Sequence, residues 1–163
     1  MARIAILTAS DKGAAGERED VSGQTIARML LEAGHEVVRH DVVADYRALI
    51  AEHLRVWADA EICDVILTTG GTGLTPRDQT PEATRDIAER EVPGIPIALI
   101  QNGLQHTPYA ALTRGVAVTR RRTLIVNLPG SPKAVAQGMD VLLPLLGHVA
   151  ELLEGPLEHE TGT

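Results

Sequence analysis

The chain contains very few aromatic side chains and a single cysteine. It has one Trp, two Tyr and no Phe, so its core must be built from Ala, Val, Leu and Ile, which suits a layered α/β structure. Cys63 is the only cysteine, which excludes an internal disulfide and a cysteine metal cluster. Because Cys63 lies just before an apolar segment, we predict an inert, buried thiol rather than a nucleophile.

Positive charge and long apolar runs are also scarce. The net charge is −7 and only two residues are lysine, which argues against a general nucleic-acid partner or an anionic membrane surface. No apolar run approaches the roughly 18 residues of a membrane span, and the first strand follows the start without a signal peptide. We therefore expect a cytoplasmic protein. An anionic small ligand could still be held by backbone N–H groups, a few arginines and a divalent cation.

The length and the order of patterns predict the fold. A chain of 163 residues with 44% apolar content suits one domain, which we assign to residues 1–154, with a disordered polar tail over 155–163. Apolar runs alternate with helical spacing, which predicts a three-layer α/β/α fold with a mostly parallel sheet and one β-hairpin. The expected strands are 3–9, 35–44, 64–67, 112–119 and 123–128, and the expected helices are 20–33, 45–60, 81–91, 95–105 and 132–153.

Two of these segments carry more detailed expectations. The helix over 45–60 has apolar residues at helical spacing, which predicts a core-facing stripe. Those residues are Leu49, Ile50, Leu54 and Trp57. Three consecutive arginines separate the two hairpin strands, and on an acidic chain they indicate a solvated turn rather than a nucleic-acid patch.

A glycine-rich loop follows the strand over 64–67. Gly70, Gly71 and Gly73 allow close approach to a ligand and φ > 0, so successive N–H groups can converge on an anion. Hydroxyl groups flank these glycines at Thr68, Thr69, Thr72 and Thr75. The loop ends at Thr80-Pro81, where Thr80 is the expected N-cap of a helix. The sequence lacks the Walker A lysine and the GxGxxG spacing, so a tight turn that binds nothing is the alternative.

Acidic residues follow two of the predicted strands. Asp45 comes at the end of the second strand, and Asp78 lies in the loop after the third, next to Arg77. Carboxyl ends of parallel strands meet at one edge of a sheet, so both carboxylates could reach one crevice. Carboxylates beside phosphates need a hard cation, and Mg²⁺ supplies that bridge. Asp45 could instead serve only as a helix cap.

Two further segments bring polar groups to the same edge. The first strand ends at Ser10-Asp11, and the helix that follows opens at Ser22-Gly23. Ser22 could be a plain N-cap or a ligand contact. The last strand runs into Asn127-Leu-Pro129-Gly130-Ser131-Pro132, where Ser131 is an apt N-cap and Pro132 an apt first helical residue. Two such helix starts would favour an anion.

Several of these motifs occur together in one known family. They are Ser10-Asp11, Asp20-x-Ser22-Gly23, Thr68-Thr-Gly-Gly-Thr-Gly73, Arg77-Asp78-x-Thr80-Pro-Glu-Ala-Thr84 and Asn127-Leu-Pro-Gly-Ser-Pro132. Over residues 3–153 the chain resembles the MogA/MoaB-type molybdenum cofactor biosynthesis proteins, the molybdopterin adenylyltransferases. The resemblance implies Mg²⁺-dependent transfer of AMP from ATP to the terminal phosphate of molybdopterin, with release of pyrophosphate.

The resemblance also implies residue roles and partners. The catalytic, cation-holding residues would be Asp45 and Asp78. The binding residues would be Ser10, Asp11, Ser22, Gly23, Thr69, Gly70, Gly71, Thr72, Gly73, Asn127, Pro129, Gly130 and Ser131. A homotrimer and handover of the product to a metal-insertion protein are further implications. The alternatives are a molybdopterin-binding protein that acts in metal insertion and a non-catalytic scaffold, since a fold does not determine a function.

Overall fold

The computed structural model describes residues 1–155 and contains one six-stranded sheet flanked by helices. The strands are β1 Arg3–Ala9, β2 Glu36–Val43, β3 Val65–Thr69, β4 Arg90–Glu91, β5 Ala117–Arg120 and β6 Thr123–Leu128. The helices are α1 Asp11–Ala14, α2 Val21–Glu32, α3 Arg47–Asp59, α4 Thr80–Asp86, α5 Gly94–Leu104 and α6 Pro132–Glu154, with a 3-10 helix at Pro108–Leu112. Most of the expected tail, residues 156–163, lies outside the described residues.

The sheet has the strand order β2-β1-β3-β6-β5-β4. β2, β1, β3 and β6 run parallel to one another, with Ile4 opposite Val65 and Val65 opposite Leu124. β5 and β6 form the antiparallel hairpin, and β4 extends it as a short edge strand. The predicted mostly parallel sheet with one hairpin is therefore confirmed, and the carboxyl ends of β1, β3 and β6 lie side by side.

Alternate residues of the strands feed two separate cores. Ile4, Ile6 and Leu67 face α2 and α6 on one side of the sheet. Leu7 and Ile66 face α3 and α4 on the other. This alternation follows from the period of two along a strand, and it confirms the three layers. None of the helices within residues 1–155 combines the length and apolar character needed to cross a membrane.

The start and end of α4 differ from the prediction. Gln79, not Thr80, is the N-cap, and Thr80 is the first helical residue with no capping hydrogen bond. The helix ends at Asp86 rather than at residue 91, because the following backbone pairs with β5. Glu89 N donates to Thr119 O at 2.9 Å, which makes this segment an edge strand. Tertiary pairing outweighs the local helix preference here.

The starts of α2 and α3 also differ from the prediction. Asp20 is the N-cap of α2 and accepts from Gly23 N, so Ser22 is not a cap. Tyr46 is the N-cap of α3 without a side-chain bond, so Asp45 is not a cap either. Both predicted caps lie within two residues of the true one, because several polar residues occur together at each helix start.

Three smaller expectations were wrong in part. Leu49 is 38% exposed rather than part of the core stripe, although Ile50, Leu54 and Trp57 are buried as expected. Residues 113–116 have no regular secondary structure, so β5 begins at Ala117 rather than at residue 112. The arginine run does form the hairpin turn, but Arg120 is bonded to Asp59 and is only partly solvated.

Candidate active site

A cavity of about 560 Å³ opens at the carboxyl ends of β1 and β3, next to the turn after β6. It is lined by most of the residues that the sequence analysis selected: Ser10, Ser22, Asp45, Thr69, Gly70, Gly71, Asp78, Gly130 and Ser131. The two predicted carboxylates therefore share one cavity. Arg18, which the sequence analysis overlooked, also lines it and supplies a positive charge that could face an anionic ligand.

Hydrogen bonds hold the turns around this cavity together. Thr69 Oγ1 donates to Pro129 O at 2.6 Å, which joins the turn after β3 to the turn after β6. Ser22 Oγ donates to Gly130 O at 2.6 Å, which joins α2 to the same turn. Both hydroxyl groups donate to backbone carbonyls of the protein, and these hydrogen bonds hold in place the turns that surround the cavity.

The first two glycines of the loop have left-handed backbone conformations. Gly70 has φ 91° and Gly71 has φ 68°. A Cβ on Gly70 would lie 2.4 Å from Ala9 O, and one on Gly71 would lie 2.2 Å from Thr80 Oγ1. Only glycine combines this conformation with such close packing.

Asp45 and Asp11 bind each other's backbone. Asp11 N donates to Asp45 Oδ2 at 3.0 Å, and Asp45 N donates to Asp11 Oδ1 at 2.9 Å. Burial raises the pKa of Asp45, and the negative charges of Asp11 and Asp78 act in the same direction. Asp45 is thus a half-buried carboxylate whose ionised form a bound cation would stabilise.

Arg77 balances the charge of Asp11. Its guanidinium makes a two-pronged contact with the Asp11 carboxylate at 2.7 to 3.0 Å and lies 4.7 Å from the ring centre of Tyr46. The hydrogen bond from Arg77 lowers the pKa of Asp11. Asp11 does not line the cavity itself, so its observed role is to orient Asp45.

Arg114 anchors the loop that carries Asp78. Its Nε donates to Gly73 O at 2.8 Å, and its Nη2 donates to Asp78 O at 2.9 Å. The same guanidinium forms an ion pair with Glu82 at the start of α4. The Asp78 carboxylate in turn accepts from Thr75 N at 3.0 Å and from Thr75 Oγ1 at 2.8 Å. Arg114 had no predicted role, because no local pattern links it to Gly73 and Asp78, which are 41 and 36 positions away in the chain.

The first turns of α2 and α6 differ in the charge that an approaching anion would meet. The Asp20 carboxylate occupies the first turn of α2, where it accepts from Gly23 N, Thr8 Oγ1 and His40 Nε2. Burial opposes ionisation of Asp20, but these three hydrogen bonds together lower its pKa. Gly23 packs beneath this carboxylate and does not line the cavity. At α6, Ser131 is the N-cap as predicted and accepts from Ala134 N, and the first turn contains no acidic residue.

The remaining predicted residues line a second cavity. It measures about 340 Å³, is mostly apolar, and includes Thr72, Gly73, Asn127 and Pro129. The Asn127 amide donates to two threonine hydroxyls at 3.0 Å and accepts from Val116 N at 3.1 Å. Because its amide is satisfied and buried, Asn127 contributes to the structure of the β6 turn.

The oxygen groups of the first cavity suit Mg²⁺ better than zinc. Within residues 1–155, no three His, Cys, Asp or Glu side chains come together as a metal site. Mg²⁺ takes one or two protein carboxylates and completes its shell with water and substrate phosphates. Asp45 and Asp78 could provide such carboxylates, and a buried hydroxyl without a partner, Thr80 Oγ1, lies near Asp45.

Comparison with known proteins assigns the family. A model described as a probable molybdopterin binding domain matches residues 5–148. The chain belongs to this family. It is similar to the molybdopterin biosynthesis enzyme MoaB of Thermus thermophilus, with 50% identity and a TM-score of 0.89 over 96% of this chain and 98% of that one.

Curated relatives include proteins of similar and of much greater length. Molybdopterin adenylyltransferase of Helicobacter pylori is 36% identical over 93% of this chain and 88% of its own. The molybdenum cofactor synthesis protein cinnamon of Drosophila melanogaster is 40% identical over 91% of this chain, which spans 25% of the fly protein. The family's domain thus occurs both nearly alone and as part of a longer chain.

Proposed function

We propose that this protein is a molybdopterin adenylyltransferase of molybdenum cofactor biosynthesis. A terminal phosphate oxygen of molybdopterin would attack the α-phosphorus of ATP, a new P–O bond would form, and the bond to pyrophosphate would break. Mg²⁺, when bound with ATP, would neutralise phosphate charge. The observation that carries the proposal is that Asp45 and Asp78 line one cavity with Gly70 and Gly71. The relatives named molybdopterin adenylyltransferase support it.

Each group in the cavity would have a distinct task. Asp45 and Asp78 would hold the cation. The N–H group of Gly71 and the start of α6 at Ser131 would bind phosphate oxygens, whereas Gly70 N already donates to Leu128 O at 3.2 Å. Transfer of this kind requires positioning and charge neutralisation more than a protein nucleophile. The binding residues in the second cavity, Thr72 and Gly73 among them, would contact the rest of the substrates.

Asp78→Asn tests the proposal, with Asp140→Asn as the matched control. Asp140 carries the same charge but lies exposed on α6, outside both cavities. We expect Asp78→Asn to abolish ATP-dependent pyrophosphate release while molybdopterin binding and melting temperature stay close to wild type. Asp140→Asn should behave as wild type. An active Asp78→Asn enzyme would contradict the assignment.

A pyrophosphate assay also separates the proposal from its alternatives. A wild-type protein that binds molybdopterin but never releases pyrophosphate from ATP would instead act in metal insertion. A protein that binds neither MgATP nor molybdopterin in calorimetry would be a scaffold. The implied homotrimer and the handover to a metal-insertion protein belong to the same proposal, and sedimentation velocity of the purified chain tests the first of them.

A further inference from the structure

Thr80 has a buried hydroxyl group without a hydrogen-bond partner. Its side chain is fully buried, and Oγ1 is the only such orphaned side-chain atom in the part of the chain that the structure describes. Leaving a buried hydroxyl unsatisfied lowers the stability of the fold, because the group loses its hydrogen bonds to water and gains none in the protein. Such groups are rare in folded proteins and call for a physical explanation.

The backbone of Thr80, by contrast, is fully used. Thr80 N donates to Gly71 O at 3.1 Å, and Thr80 O accepts from Thr84 Oγ1 at 2.8 Å. Thr84 binds a backbone carbonyl with its hydroxyl, as threonines within helices commonly do. Thr80 stands in the first turn of the same helix but does not use its hydroxyl in that way.

The orphaned hydroxyl packs against Gly71, which lines the cavity, while Thr80 itself is not among the residues that line it. A Cβ on Gly71 would lie 2.2 Å from Thr80 Oγ1 and 3.4 Å from Asp45 Oδ1. The hydroxyl and the carboxylate oxygen therefore lie on the same side of Gly71, separated by the space where this residue has no side chain. Asp45 Oδ2 accepts from Asp11 N, whereas Oδ1 is the oxygen that faces Gly71.

We propose that the Thr80 hydroxyl is a third protein oxygen of the cation site, beside Asp45 and Asp78. The inference rests on the proposed function, since it requires a divalent cation bound with nucleotide. A neutral hydroxyl suits Mg²⁺, which is oxygen-seeking and is bound by a Ser or Thr hydroxyl in P-loop proteins. Because Gly71 lies between the hydroxyl and the cavity that it lines, the proposal requires the backbone at Gly71 to move aside when the cation binds.

Thr80→Val removes the hydroxyl with little change in volume, and Thr123→Val provides the matched control. Thr123 is also fully buried, but its Oγ1 donates to Cys63 O at 3.1 Å, away from the cavity. Melting temperature is measured with ATP and increasing Mg²⁺, in the absence of molybdopterin, so that no turnover contributes. The readout is the Mg²⁺ concentration that gives half of the maximal stabilisation.

We expect that Thr80→Val raises this midpoint about tenfold, equivalent to about 1.4 kcal/mol, and that Thr80→Ser restores it. Without ligand, Thr80→Val should not lower the melting temperature, because no hydrogen bond is lost. Thr123→Val should lower the melting temperature but keep the wild-type midpoint.

An unchanged midpoint in Thr80→Val overturns the inference, whatever its melting temperature. A drop in melting temperature equal to that of Thr123→Val, together with an unchanged midpoint, would identify an ordinary structural hydroxyl. Absence of any Mg²⁺ effect on the wild-type protein is a different result, because it would contradict the proposed function itself.

Discussion

Replacing Arg114, which lines neither cavity itself, should disable the site. Arg114 donates to the carbonyls of Gly73 and Asp78 and pairs with Glu82. Arg114→Met keeps much of the side-chain bulk and removes all three contacts. The loop would remain attached through its backbone, including the bond from Arg114 N to Thr72 O. The expected result is therefore a displaced loop in a folded protein.

The size of the effect follows from these contacts. Hydrogen bonds from a charged donor contribute about 1.5–3 kcal/mol each. The Arg114 side chain is 34% exposed, so solvent compensates part of the loss, and we expect about 2–3 kcal/mol for the group. For a chain of this size, that corresponds to a melting-temperature decrease of about 4–12 °C. A displacement of Asp78 by about 1 Å should reduce AMP transfer about 100-fold.

Two measurements and two controls test this reasoning. Hydrogen exchange should accelerate over residues 72–79, because local opening becomes easier, and pyrophosphate release should fall. Arg114→Lys should recover little, since one ammonium group cannot bind both carbonyls in the same way. Arg121→Met, on the exposed hairpin turn, should behave as wild type. Wild-type AMP transfer and wild-type exchange in Arg114→Met would refute the anchoring role.

Three further predictions concern single residues. Gly70→Ala should destabilise the protein more than Gly34→Ala in urea denaturation. Both glycines have φ > 80°, but only at Gly70 would the added Cβ collide with another backbone atom. Left-handed strain alone costs about 1–2 kcal/mol, so equal losses of stability in the two variants would contradict a collision at Gly70. Burial raises the pKa of Asp45, so its ionisation lowers the stability of the ligand-free fold above that pKa. Asp45→Asn should therefore melt higher than wild type at pH 7, with a difference that disappears as the pH falls through the raised pKa; a lower melting temperature at pH 7 would oppose this. Burial also raises the pKa of Cys63 to about 12, so iodoacetamide at pH 8 should label it only after denaturation, and rapid labelling of the folded chain would disprove its inertness.

Five of the six strands in residues 1–155, most of the helices and the chemistry of the loop could be predicted from local sequence, whereas β4 falls in a segment predicted to be helical. β1 was predicted over its full length, because a continuous apolar run has few alternatives to a buried strand. The exact caps could not be predicted. Polar residues such as Ser22 and Thr80 are good caps in isolation, and only the packed structure shows that Asp20 and Gln79 occupy those positions.

The sequence by itself determined the composition of the site, namely two carboxylates, a glycine loop and a serine at a helix start, because these depend on residue identity and on short-range order. The tertiary structure decided which groups meet. It brought Arg114 to the loop of Asp78, assigned Asp11 to orient Asp45, and left the Thr80 hydroxyl facing Gly71 without a partner. The contacts of Arg114 with Asp78 and of Asp11 with Asp45 join residues 36 and 34 positions apart, and they arise only when the sheet and helices pack.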